Sequence, residues 1–337
     1  MNDFSEILKK LTERKDLEES EAGFALQEIM EGKVSSVRIA ALLASLKTKG
    51  ESVGELVAFA RTMNRNGIKI SPRVNNLVDT AGTGGDGMGT FNISTCAAFV
   101  AAGAGASMAK HGNRAASSKS GSADVLEELG ASLITDPKAA QQQLEEIGIT
   151  FLFAPSFSPA MRHVAPVRKE LGFKTIFNLL GPLTNPANAK RQLIGVYDKA
   201  FLGKMAEALM VLGTERSLVV GSDLDEISIS GETEVYEVSG NTVDNYSISP
   251  EDFGLKRSPI AKIRADGRRE SARMILRVLR GEGGAAGDVT VLNAGAAIYA
   301  SGLAKSIGDG VSAAAESIDS GRALEKLYLF RDYDGHS

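Results

Sequence analysis

Cysteine is almost absent from this chain of 337 residues, whose single thiol is Cys96. One thiol cannot form an intrachain disulfide or a cysteine metal cluster, so nothing in the sequence indicates an oxidising compartment. A chain of this length buries about 75% of the surface that it exposes when unfolded, and it needs no disulfide or metal for stability. We therefore expect a cytoplasmic protein of about two domains, with Cys96 as a packing residue.

Long apolar runs and an excess of basic residues are also missing. The first twenty residues carry a charge every few positions, and the longest run of small apolar residues, 96–109, is shorter than the ~20 residues that span a bilayer. The formal net charge is −4, whereas surfaces that bind nucleic acid or anionic membranes are usually basic. We therefore expect no membrane segment and no nucleic-acid partner.

The apolar pattern changes character along the chain. Apolar residues recur at helical spacing in four segments before about residue 70, and glycines and serines stand where helices are expected to end and start. Beyond Pro72, short apolar runs alternate with helix-length segments, which is the pattern of a parallel sheet with crossover helices. The predicted strands are 77–79, 107–109, 150–154, 193–197, 218–220 and 289–292, with a hairpin at 227–235. We predict an α/β fold: a small all-helical N-terminal domain and a larger α/β domain with a central, mostly parallel sheet flanked by helices.

Glycine is abundant, at 36 of 337 residues, or about 11% against a usual ~7%. The densest cluster lies between a predicted strand and a predicted helix, at 79–95, where free N–H groups and the helix dipole favour a phosphate. Gly82, Gly84 and Gly87 formally fit the G-x-G-x-x-G pattern. The acid that a dinucleotide fold places about 20 residues later is missing, and so is the Lys-Ser/Thr ending of a nucleotide P-loop.

A second segment lacks acidic residues altogether. From Gly87 to Ala123 there is no Asp or Glu, while Lys110, Arg114 and Lys119 are all present. Hydroxyls accompany these cations at Ser117, Ser118, Ser120 and Ser122. Two strand-to-helix turns of this kind meet at the carboxyl ends of neighbouring parallel strands, and the pair predicts a polyphosphorylated ligand. The alternative is that the glycines form tight turns and the cations a solvated face.

Carboxylates that suit a magnesium ion follow another predicted strand. The sequence Asp-Leu-Asp-Glu at 223–226 comes just after strand 218–220, and Mg²⁺ is usually held by one or two carboxylates together with substrate phosphates. Ser94, at the start of its predicted helix, offers a hydroxyl to the same ion. An acidic loop of this composition is otherwise an ordinary solvated surface.

Three motifs resemble those shared by anthranilate phosphoribosyltransferases and pyrimidine nucleoside phosphorylases: G-T-G-G-D at 82–86, T-F-N-I-S-T at 90–95 and K-H-G-N-R at 110–114. A fourth separates the two families, since R-K-E-L-G-F-K-T-I-F-N-L-L-G-P-L-T-N-P at 168–186 is similar to the signature of the anthranilate enzymes. The resemblance covers essentially the whole chain. The phosphorylases typically carry an additional C-terminal domain, for which this length is short.

The resemblance implies both an architecture and a reaction. The helical domain would comprise residues 1–72, joined by a return segment near 165–190, and the α/β domain residues 73–337, usually in a homodimer. Anthranilate would attack the anomeric carbon of phosphoribosyl pyrophosphate (PRPP), giving phosphoribosyl anthranilate and pyrophosphate in tryptophan biosynthesis. Mg²⁺ would be the cofactor. The acid pair of the family is intact here, although many relatives have a His-Gly pair and a glycine in the flank where this chain has Val220, Gly221 and Ser222.

The same resemblance assigns site residues by matching position. PRPP would be held by Gly82, Gly85, Asp86, Thr90, Asn92, Ile93, Ser94, Thr95, Lys110, His111, Gly112, Asn113, Arg114, Ala115, Ala116, Ser117, Ser118 and Ser122. Anthranilate would meet Asn113 and Arg168, with Gly82 at the junction of the two substrates. Magnesium would be held by Ser94, Asp225 and Glu226.

Alternatives remain open for the base and for the function. His111 is a candidate general base, yet an arylamine is weakly basic and loses its proton easily after attack, so we expect no essential base and no covalent nucleophile. A pyrimidine nucleoside phosphorylase would use phosphate as the nucleophile. A non-catalytic relative that binds nucleic acid would carry a broad basic groove, against the net charge of −4.

Overall fold

Four N-terminal helices pack around one apolar core. The computed structural model describes residues 3–115 and 120–334. The helices are α1 (Phe4–Thr12), α2 (Glu19–Met30), α3 (Ser36–Lys49) and α4 (Val53–Asn66). Their starts follow from capping side chains, because Asp3 accepts a hydrogen bond from the N–H of Ser5, and Ser52 forms a capping box with Glu55.

Beyond the bundle, the described residues contain one seven-stranded sheet in the order β3-β2-β1-β4-β5-β6-β7. The strands are β1 (Leu77–Gly82), β2 (Ser107–Gly112), β3 (Ile149–Phe153), β4 (Arg191–Gly195), β5 (Arg216–Gly221), β6 (Thr233–Ser239) and β7 (Thr242–Ile248). β1 to β5 are parallel, and β6 and β7 continue the sheet as an antiparallel edge. The predicted fold class is confirmed.

Helices cover both faces of this sheet. They are α5 (Ile93–Gly103), α6 (Ser122–Glu128), α7 (Pro137–Ile147), α8 (Ala154–Phe157), α9 (Ala165–Leu171), α10 (Ile176–Leu180), α11 (Leu202–Val211), α12 (Arg268–Leu279), α13 (Ala285–Ser301), α14 (Ile307–Asp319) and α15 (Arg322–Arg331). Successive residues of β5 point to opposite faces, so that Leu218 and Val220 enter the core beneath α5 and α13. Val219 enters the other core, which is continuous with the helical bundle.

The segment between β3 and β4 returns to the bundle. α9 packs against α3, and α10 packs against α3 and α4. Val167 and Ile176 are buried in the bundle core together with apolar residues of α1 to α4. This return segment therefore lies between the bundle and the carboxyl ends of the strands.

One predicted strand and the predicted hairpin are wrong, although residues 233–235 of that hairpin lie in β6. Residues 289–292 lie inside α13, which is buried on nearly every side, and a helix that is apolar all round gives no helical period in its sequence. The predicted hairpin at 227–235 is replaced by β6 and β7, which turn at Gly240. Ile227 pairs through both its N–H and its carbonyl with the side chain of Asn293 instead of with a strand. In the part of the chain that is described, no helix is long and apolar enough to cross a membrane.

Candidate active site

The predicted site residues gather at one edge of the sheet. β1 ends at Gly82 and β2 at Gly112, and Gly82 is the partner of Gly195 at the end of β4. Because parallel strands place their carboxyl ends on one edge, the loops after β1, β2 and β5 lie side by side. Three residues predicted to bind PRPP, Ala116, Ser117 and Ser118, lie outside the described residues, as does the neighbouring Lys119.

The glycine loop after β1 has a backbone that few other residues adopt. Gly84, Gly85, Gly87 and Gly89 have φ angles of 67°, 83°, 76° and 68°, in the left-handed region that strongly favours glycine. The loop is fixed at its start because the N–H of Thr83 donates to the carbonyl of Gly195 over 2.9 Å. Among the described residues, no acceptor binds the N–H groups of Gly84, Gly85 or Asp86. These donors suit an anion.

α5 begins directly after this loop, and polar groups lie at its partly buried first turn. The Asn92 side-chain oxygen accepts hydrogen bonds from the hydroxyls of Ser120 at 3.1 Å and Ser271 at 2.8 Å. Ile93 and Thr95 are buried, while Thr90 pairs with Arg264 as an isolated β-bridge. The predicted PRPP contacts of this segment are thus divided between partly buried polar residues and side chains packed in the core.

Lys110 lies beneath the start of α5. Its Nζ donates to the carbonyl of Thr80 at 2.5 Å and to the hydroxyl of Ser94 at 3.1 Å. Burial lowers the pKa of Lys110, and the carboxylates of Asp79 and Glu226 oppose that shift. Lys110 therefore places a buried amine directly behind Ser94.

The acidic loop after β5 crosses the ends of β1 and β4. A Cβ on Gly195 would lie 1.6 Å from the carbonyl oxygen of Asp225, so only glycine fits at this position. The Glu226 carboxylate accepts the N–H of Ser94 at 3.1 Å. The hydroxyl of Ser222 binds the carbonyls of Leu224 and Glu226 and so closes the loop. The flank in which this chain differs from many relatives is therefore an ordered turn.

Burial raises the pKa of both carboxyls. The pKa of Asp225 is well above its usual range, first because of burial and then because Asp86 and Glu226 lie nearby. Burial, opposed by Lys110, raises the pKa of Glu226 to about 7. Carboxylates in such surroundings favour a proton or a cation.

The oxygen atoms of this loop fit magnesium. Asp225 and Glu226 supply two carboxylates, and Ser94 supplies a hydroxyl beside Glu226. Mg²⁺ prefers such hard oxygen ligands and completes its shell with waters and substrate phosphates. Within residues 3–115 and 120–334, no cluster of three or more His, Cys, Asp or Glu side chains forms a protein-only metal site.

A cavity of about 460 Å³ lies against the ends of β1 and β2, at Gly82 and Gly112, beside the glycine loop. His111, Arg168 and Phe177 contribute to its wall together with apolar residues of the return segment. The Arg168 guanidinium lies 5.5 Å from the centre of the Phe177 ring and donates to Asn178 at 3.4 Å. Burial lowers the pKa of Arg168, and no described carboxylate pairs with it. A small aromatic acid matches a largely apolar cavity in which the stacked guanidinium of Arg168 has no carboxylate partner among the described residues.

His111 lies at the floor of this cavity. The main-chain N–H of His111 donates to the Asp79 carboxylate at 3.1 Å, and the ring Nδ1 donates to the carbonyl of Gly181 at 3.3 Å. Nε2 is buried and has no hydrogen-bond partner among the described residues. Burial lowers the pKa of His111 to about 4, so the imidazole is neutral near pH 7.

The loop after β2 is anchored by acids of α6. The Arg114 guanidinium forms ion pairs with Glu127 at 2.6 Å and Asp124 at 3.2 Å. Asp124 also accepts the N–H of Ala115 at 2.9 Å. Glycine is favoured at position 112 because a Cβ there would lie 2.3 Å from the hydroxyl of Ser122 and 2.7 Å from the ring of Phe151. Asn113 lies at the cavity wall beside this loop.

Three residues that support the site were not predicted. Lys174 donates to the carbonyl of Gly85, Ser271 binds Asn92, and Asn185 donates to Asp79 at 2.7 Å. Asn185 and Lys174 belong to the motif at 168–186, which is the only sequence signal for them. Ser271 has no such signal, because its contact joins residues that are far apart in the chain.

Comparison with known proteins places this architecture. The model for the glycosyl transferase family helical bundle domain matches residues 5–67, and the model for the a/b domain of that family matches residues 74–324. Anthranilate phosphoribosyltransferase of Rubrobacter xylanophilus is 54% identical over 329 residues, which are 96% of this chain and 96% of its own.

Similar solved structures are also anthranilate phosphoribosyltransferases. The crystal structure of anthranilate phosphoribosyltransferase from Thermus thermophilus has a TM-score of 0.92 and 46% identity, covering 97% of this chain and 98% of that one. The Saccharomyces cerevisiae enzyme in complex with PRPP and magnesium has a TM-score of 0.90 and 29% identity, covering 98% and 97%. The same yeast enzyme with 4-fluoroanthranilate has a TM-score of 0.86 and 27% identity, covering 97% and 96%.

A helical bundle set against the strand ends of a parallel sheet, with a glycine loop between them, defines a two-domain glycosyl transferase. The relatives that match almost the whole chain narrow that class to one family. The chain belongs to the anthranilate phosphoribosyltransferases.

Proposed function

We propose that this enzyme transfers the phosphoribosyl group of PRPP to the amine of anthranilate, releasing pyrophosphate. The observation that carries the proposal is the junction at Gly82. On one side lie the free N–H groups of the glycine loop and the pair Asp225 and Glu226, and on the other lies the cavity with Arg168. A polyanion and an aromatic acid would thus meet at the end of β1.

The two substrates divide the site residues between them. We assign PRPP to the residues predicted for it in the glycine loop and the 110–122 segment, among which the ion pairs of Arg114 favour a main-chain role for that residue. We assign the anthranilate carboxylate to Arg168, with Asn113 beside the ring. Ser94, Asp225 and Glu226 would hold Mg²⁺, which when bound would neutralise the charge of the pyrophosphate.

The reaction requires mainly that the protein position the two substrates and stabilise the charge that develops. Departure of pyrophosphate from the anomeric carbon leaves an oxocarbenium-like centre, as in glycoside cleavage. The loop N–H groups, with the Lys110 amine behind Ser94, stabilise negative charge on the leaving group. Arg168 holds the nucleophile by its carboxylate, so that the amine is presented to the sugar. The amine loses its proton after attack, and no covalent intermediate with the protein is needed.

The direct test follows anthranilate fluorescence with time after purified protein is mixed with PRPP and Mg²⁺. Loss of signal that requires both additions, and that stops with a chelator, would establish the transferase. A flat trace would contradict it, and thymidine or uridine with phosphate would then be tried to test the phosphorylase alternative.

We expect His111→Ala to retain a substantial fraction of kcat. An imidazole whose pKa burial lowers to about 4 is a weak proton acceptor, and the arylamine product cation is itself acidic. The profile of kcat between about pH 5.5 and 8.5 is therefore expected to match that of the wild type. A loss beyond roughly 100-fold, the usual scale of general acid–base catalysis, would contradict this role.

We further propose the organisation that the family implies. Residues 1–72 with a return segment near 165–190 would form one domain, residues 73–337 the other, and two copies would form a homodimer in the cytoplasm. The apolar contacts of α9 and α10 with α3 and α4 support the return segment. The single buried thiol of Cys96 agrees with a reducing compartment.

A further inference from the structure

Lys174 connects two parts of the protein at the glycine loop. It lies between α9 and α10, in the return segment that packs on the bundle, and it is half-buried. Its Nζ donates to the carbonyl of Gly85 over 2.5 Å. A side chain anchored on the bundle side thus binds the main chain of the phosphate loop.

The side-chain nitrogen of Lys174 is held by several contacts. Nζ lies 3.3 Å from the centre of the Tyr197 ring, in the geometry of a cation–π contact. Burial lowers the pKa of Lys174, and the nearby carboxylates of Asp225, Asp86 and Asp198 oppose that shift. An aromatic face, a carbonyl and three acids therefore hold Lys174 in one place.

The bond to Gly85 controls an N–H group of the loop. A peptide unit is planar and trans, so its carbonyl and the following N–H point in opposite directions. Because Lys174 fixes the Gly85 carbonyl, it also fixes the direction of the Asp86 N–H, which has no acceptor among the described residues. Gly85 has a φ of 83°, and a glycine peptide unheld by this bond has many other conformations available.

We propose that Lys174 is a positioning residue that holds the Gly85–Asp86 peptide in the orientation that receives the phosphates of PRPP. The proposal rests on the proposed function for the identity of the ligand. The ammonium group of Lys174 also lies near the carboxylates of Asp86 and Asp225. Lys174 therefore competes weakly with a divalent cation for those carboxylates.

The test compares Lys174→Met, which keeps the length of the side chain, with Lys174→Arg, which keeps the charge. A hydrogen bond from a charged donor has an effect of about 10-fold or more on binding. We expect Lys174→Met to raise the KM for PRPP by about 10-fold, with kcat and the KM for anthranilate within about 3-fold of wild type. Lys174→Arg should recover most of the loss. Lys169→Met changes an exposed lysine of the same segment and should leave all three constants unaltered.

A binding measurement distinguishes positioning from general damage. Titration calorimetry with PRPP, without anthranilate, should show the same 10-fold loss for Lys174→Met, whereas Mg²⁺ alone should bind as tightly as to wild type or more tightly. Loss of Mg²⁺ binding together with a lower Tm, or PRPP constants within 2-fold of wild type, would overturn the proposal. If the wild type consumes no anthranilate while Lys174→Met still loses PRPP affinity, the proposed reaction fails and the role of Lys174 stands.

Discussion

Replacing Arg168 with alanine is expected to raise the KM for anthranilate by about 100-fold or more, while the KM for PRPP changes by less than about 3-fold. The guanidinium lies in an apolar cavity, stacked on Phe177, with no carboxylate from the described chain to neutralise it. Truncating one partner of a desolvated ion pair costs about 2–5 kcal/mol, and each 1.4 kcal/mol is tenfold. Steady-state kinetics with each substrate varied in turn measures both constants.

Two further changes identify the interaction that is lost. Arg168→Lys keeps the charge but not the planar fork, so it should recover only part of the affinity. Arg162→Ala removes an exposed arginine from the wall of the same cavity and serves as the control. Anthranilamide, which lacks the carboxylate, should react equally poorly with wild type and Arg168→Ala. Equal increases in the two KM values would remove the assignment.

The same substitution is expected to leave folding stability unchanged or raised. Burial already lowers the pKa of Arg168, which reflects the cost of holding an unpaired cation in this cavity. Alanine removes that charge from the free protein. A thermal unfolding curve with Tm at or above the wild-type value, beside the loss of anthranilate affinity, would mark Arg168 as a residue retained for binding.

The edge of the sheet that carries the site was predictable because its signals are local. Gly82 and Gly112 follow short predicted strands and precede predicted helices, and parallel strands bring such ends together. α13 was mistaken for a strand because its residues are buried on nearly every side, so the sequence carries no helical period. The register of β6 and β7 was missed because Asn293 pairs with Ile227 from 66 residues away.

Within the site, local sequence misled where the chain folds back. The segment without acids ends at Ala123, and the next residues include Asp124 and Glu127, which pair with Arg114. Lys110 counts as a cation in the same segment, yet its amine lies buried under Ser94. A count of charges along the chain gives the composition of a loop, but not which cations the neighbouring helix neutralises.

The largest loss of activity is expected from replacing the two acids Asp225 and Glu226. Changing Asp225 to Asn and Glu226 to Gln together is expected to lower Mg²⁺-dependent activity on the order of 1,000-fold, because a bound metal contributes several kcal/mol of charge stabilisation. Both replacements keep the shape of the side chain and remove the negative charge that would bind the ion. Initial rates across a Mg²⁺ titration measure the effect. Asp223→Asn, in the same loop but exposed, should behave as wild type.

Whereas activity falls, the folding stability of the double variant without metal is expected to rise. Burial raises the pKa of Glu226 to about 7 in the folded protein. The folded state therefore binds this proton more tightly than the unfolded state does. The stability that the bound proton contributes is lost as the pH rises from about 4.5 through 7. The double amide variant has no such loss, and its Tm should exceed that of the metal-free wild type at pH 8 by more than at pH 5. Adding Mg²⁺ should then raise the Tm of the wild type only. A variant that still gains stability from Mg²⁺, or that keeps its rate across the titration, would show that the ion binds elsewhere.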